Sequence, residues 1–400
     1  MRLRKEQLRY LLLPLSPFPP MDSYSVGTET SKVIRPAYID ERGVIDIPSS
    51  EANIDELVTM AQASVLSYPY RRYYGPSPDA MFKALQTDVM EREYRVVKSE
   101  DIQTFDVPIP DTPILIIRAV GNSIGAALTD YYTEPQRARA KIANGLMSRY
   151  ELWMTMTREV ILRCVTENDR VNTHSLRGTI KRMGDIHTPA QIANLPVALR
   201  NGLKLAPETN NFHALLARDI YREYCPPDGI VMDTSAGWGD RLEASAASGV
   251  VRVYIGIDPN LSLFWGYGQI KNNHAGEMVV IMLPIGAETL PYEEEYTVDL
   301  VFTSPPYGGL EIYSKAGTQS SSLFATQESW ANGFLYEMIS RAYYRLKKGG
   351  RFVLHLRDIQ GHQIMKGVFA KFEELGAAHE GVIGLVVGSS IAPVWIWRKM

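Results

Sequence analysis

The chain is poor in the residues that would point to the simplest answers. It has two cysteines, Cys164 and Cys225, too few and too far apart for a disulfide framework. Both are expected as free thiols in a reducing compartment. Its seven histidines are scattered without ligand spacing, so no metal is expected. Net charge is −3, and no global basicity announces a polyanionic partner. No apolar run approaches the roughly 20 residues of a membrane helix. The opening stretch "MRLRKEQLRYLLLPLSPFPP" has a basic head and a brief apolar segment. It is too short and too rich in proline to span a bilayer, and it lacks a convincing export cleavage site. A cytoplasmic protein with no membrane partner is expected.

What is present is a long, ordinary globular chain of 400 residues, enough for two or three domains. From about residue 205 it alternates apolar strands with helical stretches. "GIVMD" (229–233), "VRVYIGID" (251–258), "EMVVIML" (277–283), "VDLVFT" (298–303) and "RFVLHLRD" (351–358) read as strands, and "GVIGLVVG" and "PVWIWRK" as a closing antiparallel pair. Between them, "DRLEASAAS" (240–248), "NLSLFWGYGQIKNNHA" (260–275), "QESWANGFLYEMISRAYYRL" (327–346) and "QIMKGVFAKFEEL" (363–375) read as helices. Such alternation implies a parallel sheet covered on both faces. Ligands in these sheets bind beyond the carboxyl ends of the strands. That edge receives Asp233-Thr-Ser-Ala-Gly237-Trp-Gly239, then Asp258-Pro-Asn, then Gly286-Ala-Glu288, then Ser304-Pro-Pro-Tyr307. One unusual strand end needs no ligand; four at one edge do.

The glycines of "GWGDRL" allow close backbone approach. A dinucleotide fingerprint would want a third glycine where Leu242 stands, and no Walker-type lysine follows. An acidic residue ending the next strand, Asp258, suits a ribose with free hydroxyls. The pattern indicates a nucleoside-like cofactor without pyrophosphate, and S-adenosylmethionine fits it.

"VMDTSAGWGDRL", "YIGIDPN" and "FTSPPY" resemble the cofactor and catalytic motifs of class I S-adenosylmethionine-dependent amino-methyltransferases of DNA. "LEIYSKAGTQSSS", "RLKKGGRFVLHLRD" and the final "PVWIWRK" are similar to phage-like DNA methylases of the N4-cytosine and N6-adenine type. The resemblance covers roughly residues 205–400, with Ser-Pro-Pro-Tyr as its most specific element. It implies an α/β fold: a seven-stranded, mostly parallel Rossmann-like sheet over residues 201–400. Residues 1–200 match no motif and are expected as a mixed, largely helical N-terminal domain for recognition of substrate or DNA. The resemblance also implies roles. Asp233, Thr234, Ala236, Gly237 and Gly239 would lie against the methionine part and ribose of the cofactor, Asp258 and Pro259 at the ribose, and Glu288 at the adenine. Ser304, Pro305, Pro306 and Tyr307 would form the catalytic turn.

The chemistry gives that turn a reason. An exocyclic amine of cytosine or adenine is a poor nucleophile, because its lone pair is delocalised into the ring. Acceptors placed off the ring plane favour a pyramidal nitrogen aimed at the methyl sulfonium. Ser304 Oγ and the Pro305 carbonyl can be those acceptors, and Tyr307 can stack on a base extracted from a duplex. In the families resembled, a serine rather than an acid at the first position goes with N4 of cytosine ahead of N6 of adenine, which the resemblance therefore implies here. The long polar segment 308–328 is expected as a lid, with Glu311, Tyr313, Gln319 and Ser320 as substrate contacts.

In the first half, residues 135–182 carry 10 basic and 4 acidic side chains. Arg177 and Lys181 are candidate contacts to DNA there. "YPYRRYYGPSP" (68–78) interleaves tyrosines with arginines, which suits base contact or a strand with one packed face. Two other readings stay open: methylation of an amine in RNA, protein or a small molecule, and a non-catalytic binding protein that keeps the fold. Oligomeric state is not readable from the chain.

Overall fold

The computed structural model describes residues 76–118, 124–142, 148–151, 153–154, 209, 211–292, 297–308, 311–313, 317–358, 362–387 and 390–400, and the molecule is described over these. They fall into two compact units. One holds the described residues of Tyr74–Arg137 and Thr209–Met400, the other those of 138–208. The chain therefore divides differently from the cut at residue 200, because residues 74–137 pack with the second half. In the 138–208 unit, Ser148 and Glu151 exchange reciprocal hydrogen bonds: Ser148 N donates to Glu151 Oε2 at 2.8 Å and Glu151 N to Ser148 Oγ at 3.1 Å. This is the arrangement that closes a helix start.

The first unit is built on a nine-stranded sheet. It opens with α1 (Pro78–Thr87), where Ser77 caps the helix by accepting from Ala80 N at 3.3 Å and Pro78 begins it. Then come β1 (Glu91–Arg95), β2 (Ile114–Arg118) and α2 (Ile124–Arg137). The second half follows with α3 (Ala214–Tyr224), β3 (Gly229–Asp233), α4 (Asp240–Ser248), β4 (Val251–Ile257), α5 (Phe264–His274), β5 (Val279–Leu283) and β6 (Val298–Thr303). After it come the short helices α6 (Ser320–Leu323) and α7 (Gln327–Trp330), then α8 (Tyr336–Arg345), β7 (Leu346–His355), α9 (Ile364–Glu374), β8 (Ala377–Val387) and β9 (Ser390–Lys399).

The strand order is β1-β2-β8-β9-β7-β6-β3-β4-β5. Strands β5, β4, β3, β6 and β7 run parallel. Strand β9 is reversed and lies between β7 and β8. From β8 to β5 this order, with a switch point between β3 and β6 and the single reversed strand β9 next to β8, is the class I methyltransferase Rossmann-like fold. The sheet is wider than the expected seven strands. Strand β2 joins β8 in parallel and β1 closes the edge antiparallel to β2, so the first half of the chain extends the sheet of the second.

Alternation along the strands covers both faces. Met232, Val301 and Phe352 are register neighbours and form a row packed with Met338, Ile339, Met365 and Val368. On the other face Phe212 and Tyr221 meet Phe302 edge-on, each with ring centroids 5.4 Å apart. Each fully buried side chain of this kind stabilises the fold by roughly 1.5–3 kcal/mol. The expected helix over 327–346 is interrupted by a π-helical turn at Ala331–Leu335. The Phe324 ring occupies the space that a Cβ at Gly333 would need, and the turn brings Phe334 to the cavity described below. Among the described residues no helix is long and apolar enough to cross a membrane.

Candidate functional site

The carboxyl ends of β3, β4, β5, β6 and β7 surround one cavity of about 360 Å³. Its wall divides by chemistry. The first wall is built from the turn after β3 and the ends of β4 and β5. Gly237 and Gly239 have φ of +58° and +98°, left-handed conformations that a side chain disfavours. A Cβ at Gly239 would also meet Ile270 Cδ1 at 2.8 Å. The turn is held from below by Asp233. This carboxylate is fully buried and accepts from Arg241 Nε at 2.8 Å, Arg241 Nη2 at 3.2 Å, the Tyr254 hydroxyl at 2.7 Å and Ser235 N at 3.2 Å. Arg241 Nη2 also donates to the Ser235 carbonyl.

Asp258, at the end of β4, accepts from Gly237 N at 2.9 Å and Asn260 N at 2.8 Å. It lines the cavity. Burial pushes its carboxyl up to about 6, with those two backbone donors working in the opposite direction. Glu288 lines the same wall with a buried Oε2 that has no hydrogen-bond partner, and burial raises its pKa as well. A buried, desolvated carboxylate gains most from a hydroxyl or amine donor brought by a ligand. The acceptor set therefore fits a nucleoside: Asp258 for vicinal hydroxyls and Glu288 Oε2 for a further donor.

The second wall is the turn after β6, with its neighbours. Ser304, Pro305, Pro306 and Tyr307 all line the cavity together with the glycine turn. Without amide hydrogens the two prolines end strand pairing. The turn is then pinned where the Cβ of a residue at Gly308 would strike the Trp330 ring and where Gln327 Nε2 donates to the Gly308 carbonyl. Ser304 Oγ lies 2.9 Å from His355 Nδ1. His355 ends β7 and also lines the cavity. Burial first, then the charges of Arg241 and Arg357, push its pKa down to about 3, so the imidazole is neutral at ordinary pH.

The structure brings most of the expected site residues together and sets others aside. Thr234, Gly237, Asp258, Pro259, Glu288, Tyr313, Gln319 and Ser320 line the cavity with the Ser304–Tyr307 turn. Trp238 joins them, its ring centroid 5.5 Å from that of Tyr313. Gln319 is buried and its Nε2 has no partner, which leaves an amide donor for a ligand. Asp233, Ala236 and Gly239 do not line the cavity. The oxygens of Asp233 are taken by Arg241, Tyr254 and Ser235, and through them it supports the glycine turn. Ala236 contributes a backbone bond, its N donating to the Ile257 carbonyl at 2.9 Å. Glu311 starts a short β segment, Glu311–Ile312, and only its backbone is described. Arg177, Lys181 and the tyrosine-arginine stretch over 68–75 lie outside the described residues.

Sequence reasoning missed Asn211, Phe212, Asp240, Arg241, Phe334, His355 and Arg357, all in the cavity wall. For His355 and Arg357 a signal existed. They end the strand "RFVLHLRD" at the same sheet edge as the other motifs, and the edge rule applied there would have found them. Asp240 accepts from Asn211 Nδ2 at 3.1 Å, and burial pushes its carboxyl up to about 7.

No protein-family model matches the chain, and no curated protein matches it. Solved structures do overlap with it. TrmN from Thermus thermophilus is 20% identical over 47% of this chain and 49% of its own, with a TM-score of 0.35. An rRNA methylase from Streptococcus thermophilus is 14% identical over 48% of this chain and 99% of its own, with a TM-score of 0.34. An S-adenosylmethionine-dependent O-methyltransferase from Thermotoga maritima is 13% identical over 48% and 67%, with a TM-score of 0.33. The chain thus spans about half the length of TrmN. At this identity and TM-score the likeness extends to neither substrate nor cofactor, and the fold rests on the strand order itself.

Proposed function

We propose that this chain transfers the methyl group of S-adenosylmethionine to the exocyclic amine of a base in DNA, N4 of cytosine ahead of N6 of adenine. One observation carries the reading. The Ser304–Tyr307 turn and the glycine turn with Asp258 follow neighbouring strands and line a single cavity at the switch-point edge of the sheet. Nucleophile and methyl donor can therefore be held in line, and such positioning supplies much of a two-reactant rate.

Asp258 would hold the ribose hydroxyls, Glu288 the adenine, and the left-handed turn at Gly237 would admit the ligand close to backbone. When bound, the cofactor supplies a methyl group on a sulfonium. The chain's residues do the rest. Ser304 Oγ and the Pro305 carbonyl accept the two amine hydrogens and favour a pyramidal nitrogen. Tyr307 stacks on the base; such stacking is worth about 1–3 kcal/mol and offsets part of the cost of extracting it. Serine at the first position carries the base preference, as in the families that the Ser-Pro-Pro-Tyr turn resembles. Arg177 and Lys181, with the basic stretch around them, would contact phosphates.

The test is incubation of the protein with duplex DNA and cofactor labelled in its methyl group, followed by nucleoside chromatography. Label in N4-methylcytosine is expected. Label in N6-methyladenine alone would overturn the base preference and leave the amine chemistry standing. Label absent from DNA but present in RNA or protein would overturn the substrate, and label in none would favour a non-catalytic binder.

A further inference from the structure

We propose that His355 is the positioning residue for Ser304: its Nδ1 accepts a hydrogen bond from the Ser304 hydroxyl and thereby turns the Oγ lone pairs toward the cavity. The proposal rests on the amine-methylation reading above and names a residue that reading does not require.

The geometry is set by the sheet and not by a loop. Strands β6 and β7 are parallel, with Thr303 paired to Leu354. The next residue on each strand is Ser304 and His355, so the two side chains leave the sheet side by side. Their polar atoms lie 2.9 Å apart. The Phe212 ring stands against the imidazole edge-on, with centroids 5.1 Å apart and planes at 84°, and limits its rotation. Both residues line the cavity.

A serine hydroxyl has one proton and two lone pairs. If its proton points into the cavity, it meets the amine hydrogens head-on and the oxygen cannot accept them. A fixed acceptor behind the hydroxyl removes that orientation. A neutral imidazole offers such an acceptor; an imidazolium would donate from both nitrogens and turn the hydroxyl round. The surroundings keep the ring neutral, through burial and the positive charges of Arg241 on α4 and Arg357 just beyond β7. The heavy atoms fix the contact, and the tautomer with Nδ1 unprotonated is part of the proposal.

Two measurements on the full chain test it. The first needs no variant and no turnover: imidazole nitrogen NMR of the wild-type protein reads the His355 tautomer. An unprotonated Nδ1 is expected, and a protonated Nδ1 would overturn the proposal. The second is single-turnover methyl transfer by His355→Phe, His355→Asn, Ser304→Ala and the double variant Ser304→Ala/His355→Phe, with cofactor affinity measured on each. His355→Phe is expected to lose about 10- to 100-fold in rate, the size of one lost polar contact in a buried site, with cofactor affinity unchanged. His355→Asn places an amide oxygen near the Nδ1 position and should recover most of that loss. The double variant should be no slower than Ser304→Ala, because His355 acts through the serine. Wild-type rates in His355→Phe, or a double variant whose loss is the product of the two single losses, would overturn it. A wild-type protein that methylates no base amine would sink the functional reading, while the tautomer measurement would still decide the contact.

Discussion

The two walls of the cavity are built on different principles. The wall carrying the glycine turn is a closed network. Asp233 has four hydrogen bonds, Arg241 bridges it to the Ser235 carbonyl, and Asp258 accepts from two backbone amides. Its groups are spent on one another, and what remains for a ligand is shape and two desolvated carboxylates. The wall carrying Ser304 is open. Ser304 meets His355, and Gln319 Nε2 has no partner. A closed network suits a cofactor that is always the same. Spare donors and acceptors suit a substrate whose reacting group must be gripped only as it reacts.

Changes that break the first wall should cost binding and stability, and the largest effect is expected at its base. Arg241→Leu strands the Asp233 carboxylate without its partner. Breaking a buried pair on one side typically costs about 3–5 kcal/mol, so a denaturant melt should show a loss of that order. A wild-type midpoint would mean that Asp233 is held by Tyr254 and Ser235 alone.

Asp258→Ala should weaken S-adenosylmethionine binding by about 1.5–3 kcal/mol, the usual range for a hydrogen bond to a charged group. Calorimetry checks this, and pH sharpens it. The folded carboxyl titrates at about 6, above the ~3.9 of an unfolded aspartate. Between these values the folded state binds the extra proton, so this group's contribution to stability declines as pH rises through that window. Cofactor affinity should move the other way, rising as pH passes about 6 and the carboxylate becomes available to accept. Asp258→Asn should remove that dependence. An affinity flat from pH 5 to 8 in the wild type would place the ribose elsewhere.

The smallest of these effects lies at the Ser304–Tyr307 turn. Tyr307→Ala should weaken binding of a base by about 1–3 kcal/mol and leave cofactor affinity untouched, as read by titration of a short DNA containing a fluorescent base analogue. A shift in cofactor affinity instead would assign Tyr307 to the first wall.

What could be read from the chain follows the same contrast. The glycine turn, Asp258 and Ser304–Tyr307 are contiguous motifs, each ending a strand of strong apolar pattern, so fold and cavity edge were legible together. Strand β1 was not. "EREYR" has no apolar alternation, because it is an exposed edge whose side chains pair locally, Arg118 with Glu93 at 2.9 Å and Arg92 with Asp219 at 2.9 Å. "ILIIR" reads as a strand, but nothing local says that it joins β8, more than 250 residues away in sequence. Hence the cut at residue 200 was misplaced. Asp233 was legible as a site residue yet not as a buried support, because its partners Arg241 and Tyr254 are fixed only by packing. The contact between Ser304 and His355 depends on the register of β6 against β7, which no single stretch of sequence encodes.

The most direct test of the division between the walls is Ser304→Ala, with single-turnover methyl transfer and cofactor affinity measured on the same preparation. In the proposed reading Ser304 touches the amine and not the cofactor, so transfer should slow by about 10²–10³, the cost of removing one preorganised hydrogen-bonding group, while the dissociation constant for S-adenosylmethionine stays at its wild-type value. A variant that transfers methyl groups at the wild-type rate, or one that loses cofactor as fast as it loses activity, would contradict the account.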